Sequence, residues 1–460
     1  MLTDGTIKKE LEALKSDLIH SIKELVSIPS IIDQNSTKYP FGENIDKALR
    51  KTLEICKGLG FRTYYDPEGY YGYAEVGQGD ELIGILGHLD VVPPGSLDVW
   101  KHDPFDPVIE DGRLYGRGTQ DDKGPILACV YAAKALMNLG VTFNKRLRFI
   151  FGTDEESLWR DMKKYMEKEE KPTAGFTPDS TFPLIYAEKG LLQIVLEGEN
   201  ETNLLLEGGN AFNSVPDNIV YTGDKQEELK AKLIELGYEY EYELKEKGVK
   251  VLGKSAHAQV AEKGINAINR LAIALKSIGI TSKAIEFIVG EIQEDPFATK
   301  IFGTCEDEDS GKLKFNIGKI SLKEKETLSI DIRIPVTIEK DEIVNKISRA
   351  ANKYGLAYRE YDWLKPIYIP KDHFLVRTLL GVYREVTKDM VSEPISSGGA
   401  TYARAIDNCV AFGAVLPGRT KTEHQPNEHI VLEDMFIALE IYAKAIYKLT
   451  CCDSSGAKGR

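Results

Sequence analysis

The stretch GILGHLDVV, residues Gly84 to Val92, carries an unbroken apolar run into a histidine and an aspartate. An apolar run without alternation reads as a strand covered on both faces, the kind found in parallel sheets. Side chains alternate along a strand, so His88 and Asp90 are expected to leave the core on the same side where the strand ends. Further along, PILACVYAAKALMNLG reads as a helix opened by Pro125 and closed by Gly140, and RLRFIFGTDEE as a second buried strand. Up to about Glu188 short apolar runs alternate with helical periods, which predicts a layered α/β domain.

From about Gly190 the texture changes. LLQIVLEGEN and YEYEYELKEKGVKVLG alternate like half-exposed strands, and KQEELKAKLIELG and INAINRLAIALKSIG are amphipathic helices. The segment KLKFNIGKISLKEKETLSIDIRIP supplies two more strands and KDEIVNKISRAANKYG a helix, so this region reads as an α+β unit with one solvated sheet face. After roughly Pro370, HFLVRTLLGVYREVTKDM begins a helix and NCVAFGAVL an apolar strand. The economical division is a discontinuous domain of residues 1–189 and 371–460, interrupted by a second domain of residues 190–370.

Composition bounds the function. Of 460 residues, 42% are hydrophobic and 28% charged, as in ordinary globular proteins. With 59 basic against 72 acidic side chains the formal charge is −13, which argues against nucleic acid and anionic membrane as partners. The six cysteines (Cys56, Cys129, Cys305, Cys409, Cys451 and Cys452) follow no zinc-knuckle or disulfide spacing. The N-terminus reads as a charged amphipathic helix without an apolar leader, and the tail CCDSSGAKGR as a polar, frayed end. The expectation is a soluble cytoplasmic protein.

Five segments place carboxylates or imidazoles where turns meet buried strands: GHLD (His88, Asp90), GRGTQDDKGP (Asp121, Asp122), FGTDEES (Asp154, Glu155, Glu156), TPDS (Asp179) and EHQPNEH (His424, Glu428, His429). Each alone has an ordinary account as a cap, a turn or a solvated helix start. Together they fall past strand ends, where open α/β sheets put their sites. Nitrogen and oxygen donors without a thiolate suit Zn²⁺, Mn²⁺ or Co²⁺. Two such cations held close together need a shared anion, and Asp121 is the candidate bridge.

The motifs GHLDVVPPG, WKHDPFDPVIEDGRLYGRGTQDDKGP, GTDEES, GFTPDS, GKSAHA, SGGATYAR and EHQPNEHI, running from about residue 84 to 430, resemble the M20 family of metallopeptidases and its PepV-like dipeptidase branch. The resemblance implies a catalytic α/β domain with a co-catalytic pair of divalent ions, Zn²⁺ or Mn²⁺, and an inserted α+β lid. It implies that His88 and Asp179 bind one metal, Glu156 and His424 the other, and that Asp121 bridges. Asp90 would accept the ring N–H of His88, and Glu155 would be the general base. His257 of the lid would donate to the oxyanion, Asn213 would make a second polar contact, and Arg333 with the Gly398 and Gly399 backbone would hold a substrate carboxylate.

The sequence departs from the family pattern at Ala400, where a third glycine is frequent, and at His429, a spare imidazole left outside the metal set. His102 reads as part of a loop wall. The implied activity is hydrolysis of short unblocked peptides by a monomer. An aminoacylase or N-acyl amino-acid deacylase with the same metals is the alternative, and a non-catalytic binding protein on this scaffold would require lost ligands or a lost base.

Overall fold

A computed structural model describes residues 3–245 and 247–451, so the tail beyond Cys451 lies outside the described residues. The chain divides into two compact units: residues 1–186, 369–395 and 401–460 form one, and residues 187–368 with 396–400 form the other. The short segment 396–400, which the sequence reading kept with the first domain, groups with the second unit.

The first unit is built on a mixed sheet whose strands follow the order Arg62–Tyr65, Gly72–Val76, Arg146–Gly152, Leu82–His88, Ala174–Thr177, Cys409–Ala411 and Ile185–Glu188. Its centre is parallel: Leu82–His88 runs alongside Arg146–Gly152, with His88 opposite Gly152, and alongside Ala174–Thr177. Every residue of Leu82–His88 is buried, as its apolar run requires. Because the three strands are parallel, the segments that follow His88, Gly152 and Thr177 all emerge at the same edge of the sheet.

Helix Lys123–Asn138 packs on the Leu82–His88 strand and is flanked by Asp4–Val26 and Leu432–Thr450. The N-terminal helix begins with a reciprocal Thr3–Thr6 capping box and buries Ile7, Leu11, Leu14, Leu18, Ile22 and Leu25 along one stripe. Pro125 is the third residue of helix Lys123–Asn138, not its first, and Asp122 stands at the cap without a side-chain capping bond. The run NCVAFGAVL is not one strand. It splits into Cys409–Ala411 and Ala414–Val415, which pair in different sheets. Gly413, at φ 89°, turns the chain where a Cβ would meet Phe182 and Tyr442.

The second unit has a five-stranded sheet in the order Leu206–Gly208, Lys314–Leu322, Lys325–Ile334, Gly190–Glu199 and Ala357–Leu364, with antiparallel pairing throughout. Leu192, Ile194, Leu196, Ile330 and Ile332 of this sheet share one core with Leu271 and Leu275 of helix Ala267–Ser277 and with Ile343 and Ile347 of helix Lys340–Asn352. Among the described residues no helix is long and apolar enough to cross a membrane.

One close approach ties the fold to the strand end. A Cβ on Gly87 would stand 2.5 Å from Asp122 Oδ2 and 2.6 Å from Ile126 Cγ1. Gly87→Ala therefore has to push the start of helix Lys123–Asn138 off the sheet. Urea unfolding of the metal-free protein is expected to show a loss of about 1–3 kcal/mol; an unchanged midpoint would contradict the packing described.

Candidate metal centre

His88 is the last residue of its strand and is 1% exposed. Its Nδ1 lies 2.9 Å from the main-chain oxygen of Asp90. A carbonyl can only accept, so Nδ1 carries a proton, and Nε2 is the nitrogen turned to the interior of the site. Nε2 faces Asp121 Oδ1 at 2.8 Å and Asp179 Oδ2 at 3.7 Å.

The other oxygen of Asp121, Oδ2, lies 3.0 Å from His424 Nε2, and that nitrogen is also 3.0 Å from Glu156 Oε2. Asp121 thus stands between two imidazoles with one oxygen toward each. His424 reaches it from a loop with its backbone in the left-handed region, at φ 61°. Donor atoms of His88, Asp121 and Glu156 lie within 4.8 Å of one another, and so do those of His88, Glu155 and Asp179.

The electrostatics of this donor set fit a cation. Burial, reinforced by neighbouring carboxylates, pushes Glu155 and Asp179 well above the usual carboxylate range. Burial also opposes charge on Asp121, but hydrogen bonds with His424 and His88 outweigh it and hold this carboxyl far below its usual value. Burial disfavours protonated histidine too, yet the contacts with Asp121 and Glu156 raise His424 to about 11, and Asp121 raises His88 well above its ordinary value. Acids this crowded hold protons unless positive charge lies among them; divalent cations would supply that charge and take the same nitrogen and oxygen donors.

The position of Asp90 corrects the sequence reading. The strand ends at His88, so alternation does not extend to Asp90, and its carboxylate lies 3.7 Å from the His88 ring nitrogen. Its oxygens accept the main-chain N–H groups of Glu155 at 3.2 Å and Glu156 at 3.0 Å. The backbone carbonyl of Asp90 orients the imidazole, while its side chain holds the turn that carries both glutamates. Trp159 Nε1 clamps the same turn from the other side, donating to the Glu155 carbonyl at 2.7 Å. Tyr402, buried edge-on to His88, donates to Asp161, which in turn accepts the N–H of Thr153. No role was read for Trp159, Tyr402 or Asp161 in the sequence; an aromatic three or four residues past an acidic turn was the available signal for Trp159.

His102 and His429 take other places. His429 directs Nδ1 to the carbonyl of Asn427 and packs its ring against Tyr115, 4.9 Å between centroids, with His102 on Tyr115 at 5.3 Å.

In the second unit, His257 caps a short helical segment, and its Nδ1 accepts the Gln259 N–H at 3.2 Å. In the neutral imidazole this leaves the proton on Nε2, making that nitrogen a donor. Ser214 bridges to His257 and the Asn213 carbonyl accepts the Ala258 N–H, so the segments bearing Asn213 and His257 lie side by side. A Cβ on Gly398 would stand 2.8 Å from the Cβ of Gln259, which places the glycine loop beside the same turn. Gly399 donates its N–H to Ser397 Oγ.

Arg333 is 2% exposed, and its fork is already engaged: Nε and Nη2 donate to the two oxygens of Asp331 at 2.6 and 3.0 Å. Nη1 donates to the Gly398 carbonyl at 2.7 Å. The guanidinium thus supports the glycine loop directly. Asp331 lies two positions earlier on the same strand and shares its face, a pairing visible in the spacing of SIDIRIP.

Residues 84–448 match the family described as Peptidase family M20/M25/M40. A Bacillus subtilis protein named "Putative dipeptidase YtjP" is 37% identical over 458 residues, covering 95% of this chain and 97% of its own. Among solved structures, human carnosine dipeptidase 1 aligns with a TM-score of 0.60 at 16% identity over 98% of this chain and 99% of its own. The dipeptidase Dug1p of Saccharomyces cerevisiae aligns at 0.61 and 14% identity, over 96% and 98% respectively. With a family match over most of its length and a relative this similar from end to end, the chain belongs to peptidase family M20/M25/M40.

Proposed function

We propose that the protein is a metal-dependent dipeptidase that hydrolyses the peptide bond of short substrates with a free C-terminal carboxylate. The observation that carries this reading is Asp121, with one carboxylate oxygen toward each of two imidazoles. The names of the relatives support the substrate class. Two divalent ions, Zn²⁺ or Mn²⁺, would be held by His88 and Asp179 on one side, Glu156 and His424 on the other, and Asp121 between them. When bound, such ions supply Lewis acidity toward the scissile carbonyl and lower the pKa of water.

The protein's own groups do the rest. Glu155, on a turn clamped by Asp90 and Trp159, takes a proton from the attacking water and returns it to the leaving amine. A carboxylate pushed upward by burial is suited to hold that proton between the two steps. His257, with Nε2 as a donor, stabilises the oxyanion, and Asn213 adds a polar contact to the substrate. Arg333 acts through the Gly398–Gly399 loop, where the Gly398 N–H meets the substrate carboxylate while the Gly399 N–H is held by Ser397 Oγ. The enzyme works as a cytoplasmic monomer, and its acidic surface disfavours nucleic acid.

Exhaustive chelation is expected to abolish cleavage of unblocked dipeptides and re-addition of Zn²⁺ or Mn²⁺ to restore it. On a panel of dipeptides, tripeptides and N-acyl amino acids, turnover confined to the acylated compounds would reject the dipeptidase reading. Glu155→Gln should bind metal as the wild type does and lose about a hundred- to ten-thousand-fold in kcat; full turnover would remove Glu155 as the base. His257→Ala should lower kcat about a hundred- to a thousand-fold with bound metal unchanged, and a lost metal complement would contradict the role given to it.

A further inference from the structure

The loop 116–121 ends in Asp121, the residue placed between the two imidazoles, and the loop 420–429 carries His424. These loops are some three hundred residues apart in sequence, and side chains from each bind the backbone of the other. Glu428 is fully buried, and its Oε1 accepts the main-chain N–H groups of Gly118 at 3.0 Å, Gln120 at 3.0 Å and Asp121 at 3.2 Å. Its Oε2 accepts from Arg117 Nη1 at 2.7 Å, and its carbonyl accepts the Gly116 N–H at 3.0 Å.

In return, Gln120 Oε1 accepts the N–H groups of Thr422 at 2.6 Å and Glu423 at 3.1 Å, and its Nε2 donates to the His429 carbonyl at 3.3 Å. Thr422 closes the second loop on itself through reciprocal bonds with His429. Glu428 belongs to neither metal cluster, and the Gln120 side-chain amide is taken up by the main chain of Thr422, Glu423 and His429. Each acts on the peptide group at, or just before, a candidate ligand.

We propose that Glu428 and Gln120 are positioning residues that form a reciprocal clamp and set the separation of Asp121 and His424. The physical case is one of exclusivity. A buried carboxylate is tolerated only when its lone pairs are filled. Glu428 is filled by three backbone N–H groups of the Asp121 loop and by Arg117, so it has one place to sit. The Asp121 loop contains Gly118 at φ 92° and would otherwise be free to move. A metal site loses affinity when its ligands are held even slightly too loosely, so the clamp bears on metal binding before it bears on catalysis.

This inference rests on the metal-centre reading above, and one titration separates the two. The full-length protein, stripped of metal, is titrated with Zn²⁺ against a fluorescent chelator, alongside circular dichroism and melting of the metal-free forms. Gln120→Ala, at a half-buried position, should keep the fold and melting temperature and weaken Zn²⁺ binding about ten- to a hundred-fold. Glu428→Gln turns an amide N–H toward Arg117 or toward the loop, and should weaken binding at least as much; should it fail to fold, Gln120→Ala decides alone. Wild-type protein that binds no Zn²⁺ would overturn the metal centre itself. Wild-type binding matched by undiminished binding in folded Gln120→Ala would leave the metal centre standing and overturn the clamp.

Discussion

Like charges crowded into a buried volume set the terms for this molecule. Asp121, Glu155, Glu156 and Asp179 converge with two imidazoles at one edge of the parallel centre of a mixed sheet. Burial raises the cost of ionising Glu155 and Asp179, and proximity raises it again. The arrangement calls for positive charge: the carboxylates raise the proton affinity of His88 and His424, and divalent cations would meet the same need in the reading proposed here. The parallel strands bring the residues after His88, Gly152 and Thr177 to one edge, and loops tied to each other by hydrogen bonds bring Asp121 and His424 to meet them.

Much of this was legible in the chain because it follows from short-range rules. The apolar run ending at His88 specifies a strand buried on both faces, and its end specifies where polar residues collect. The helices and strands of the second unit follow from periodicity: Gln226–Leu236, Ala267–Ser277 and Lys340–Asn352 all fall in segments with an amphipathic stripe. The grouping of His88, Asp121, Glu156, Asp179 and His424 was carried by motifs, since residues more than three hundred positions apart have no periodicity in common.

What escaped the sequence is instructive for its physical kind. Asp90 was expected to act through its carboxylate on His88, whereas the carbonyl does that work and the carboxylate holds the Glu155 turn. Alternation applies only inside a strand, and no pattern tells which of two acceptors on one residue a neighbour will use. Arg333 was expected to hold a substrate carboxylate, and Asp331, two positions earlier on the same strand face, already engages two of its guanidinium nitrogens. That pairing could have been read from spacing. Glu428 was noticed without being given a task, because its partners are backbone N–H groups of a distant loop and leave no trace in residue types. NCVAFGAVL broke at Gly413, a glycine that an apolar count passes over.

The placement of Asp121 between two cations is the claim on which the chemistry depends. It is tested most directly by anomalous diffraction, at the zinc or manganese edge, from crystals of the metal-loaded protein. The account predicts two anomalous peaks flanking the Asp121 carboxylate, one against His88 and Asp179 and the other against Glu156 and His424. A single peak, or peaks that leave Asp121 bound to one ion only, would contradict it.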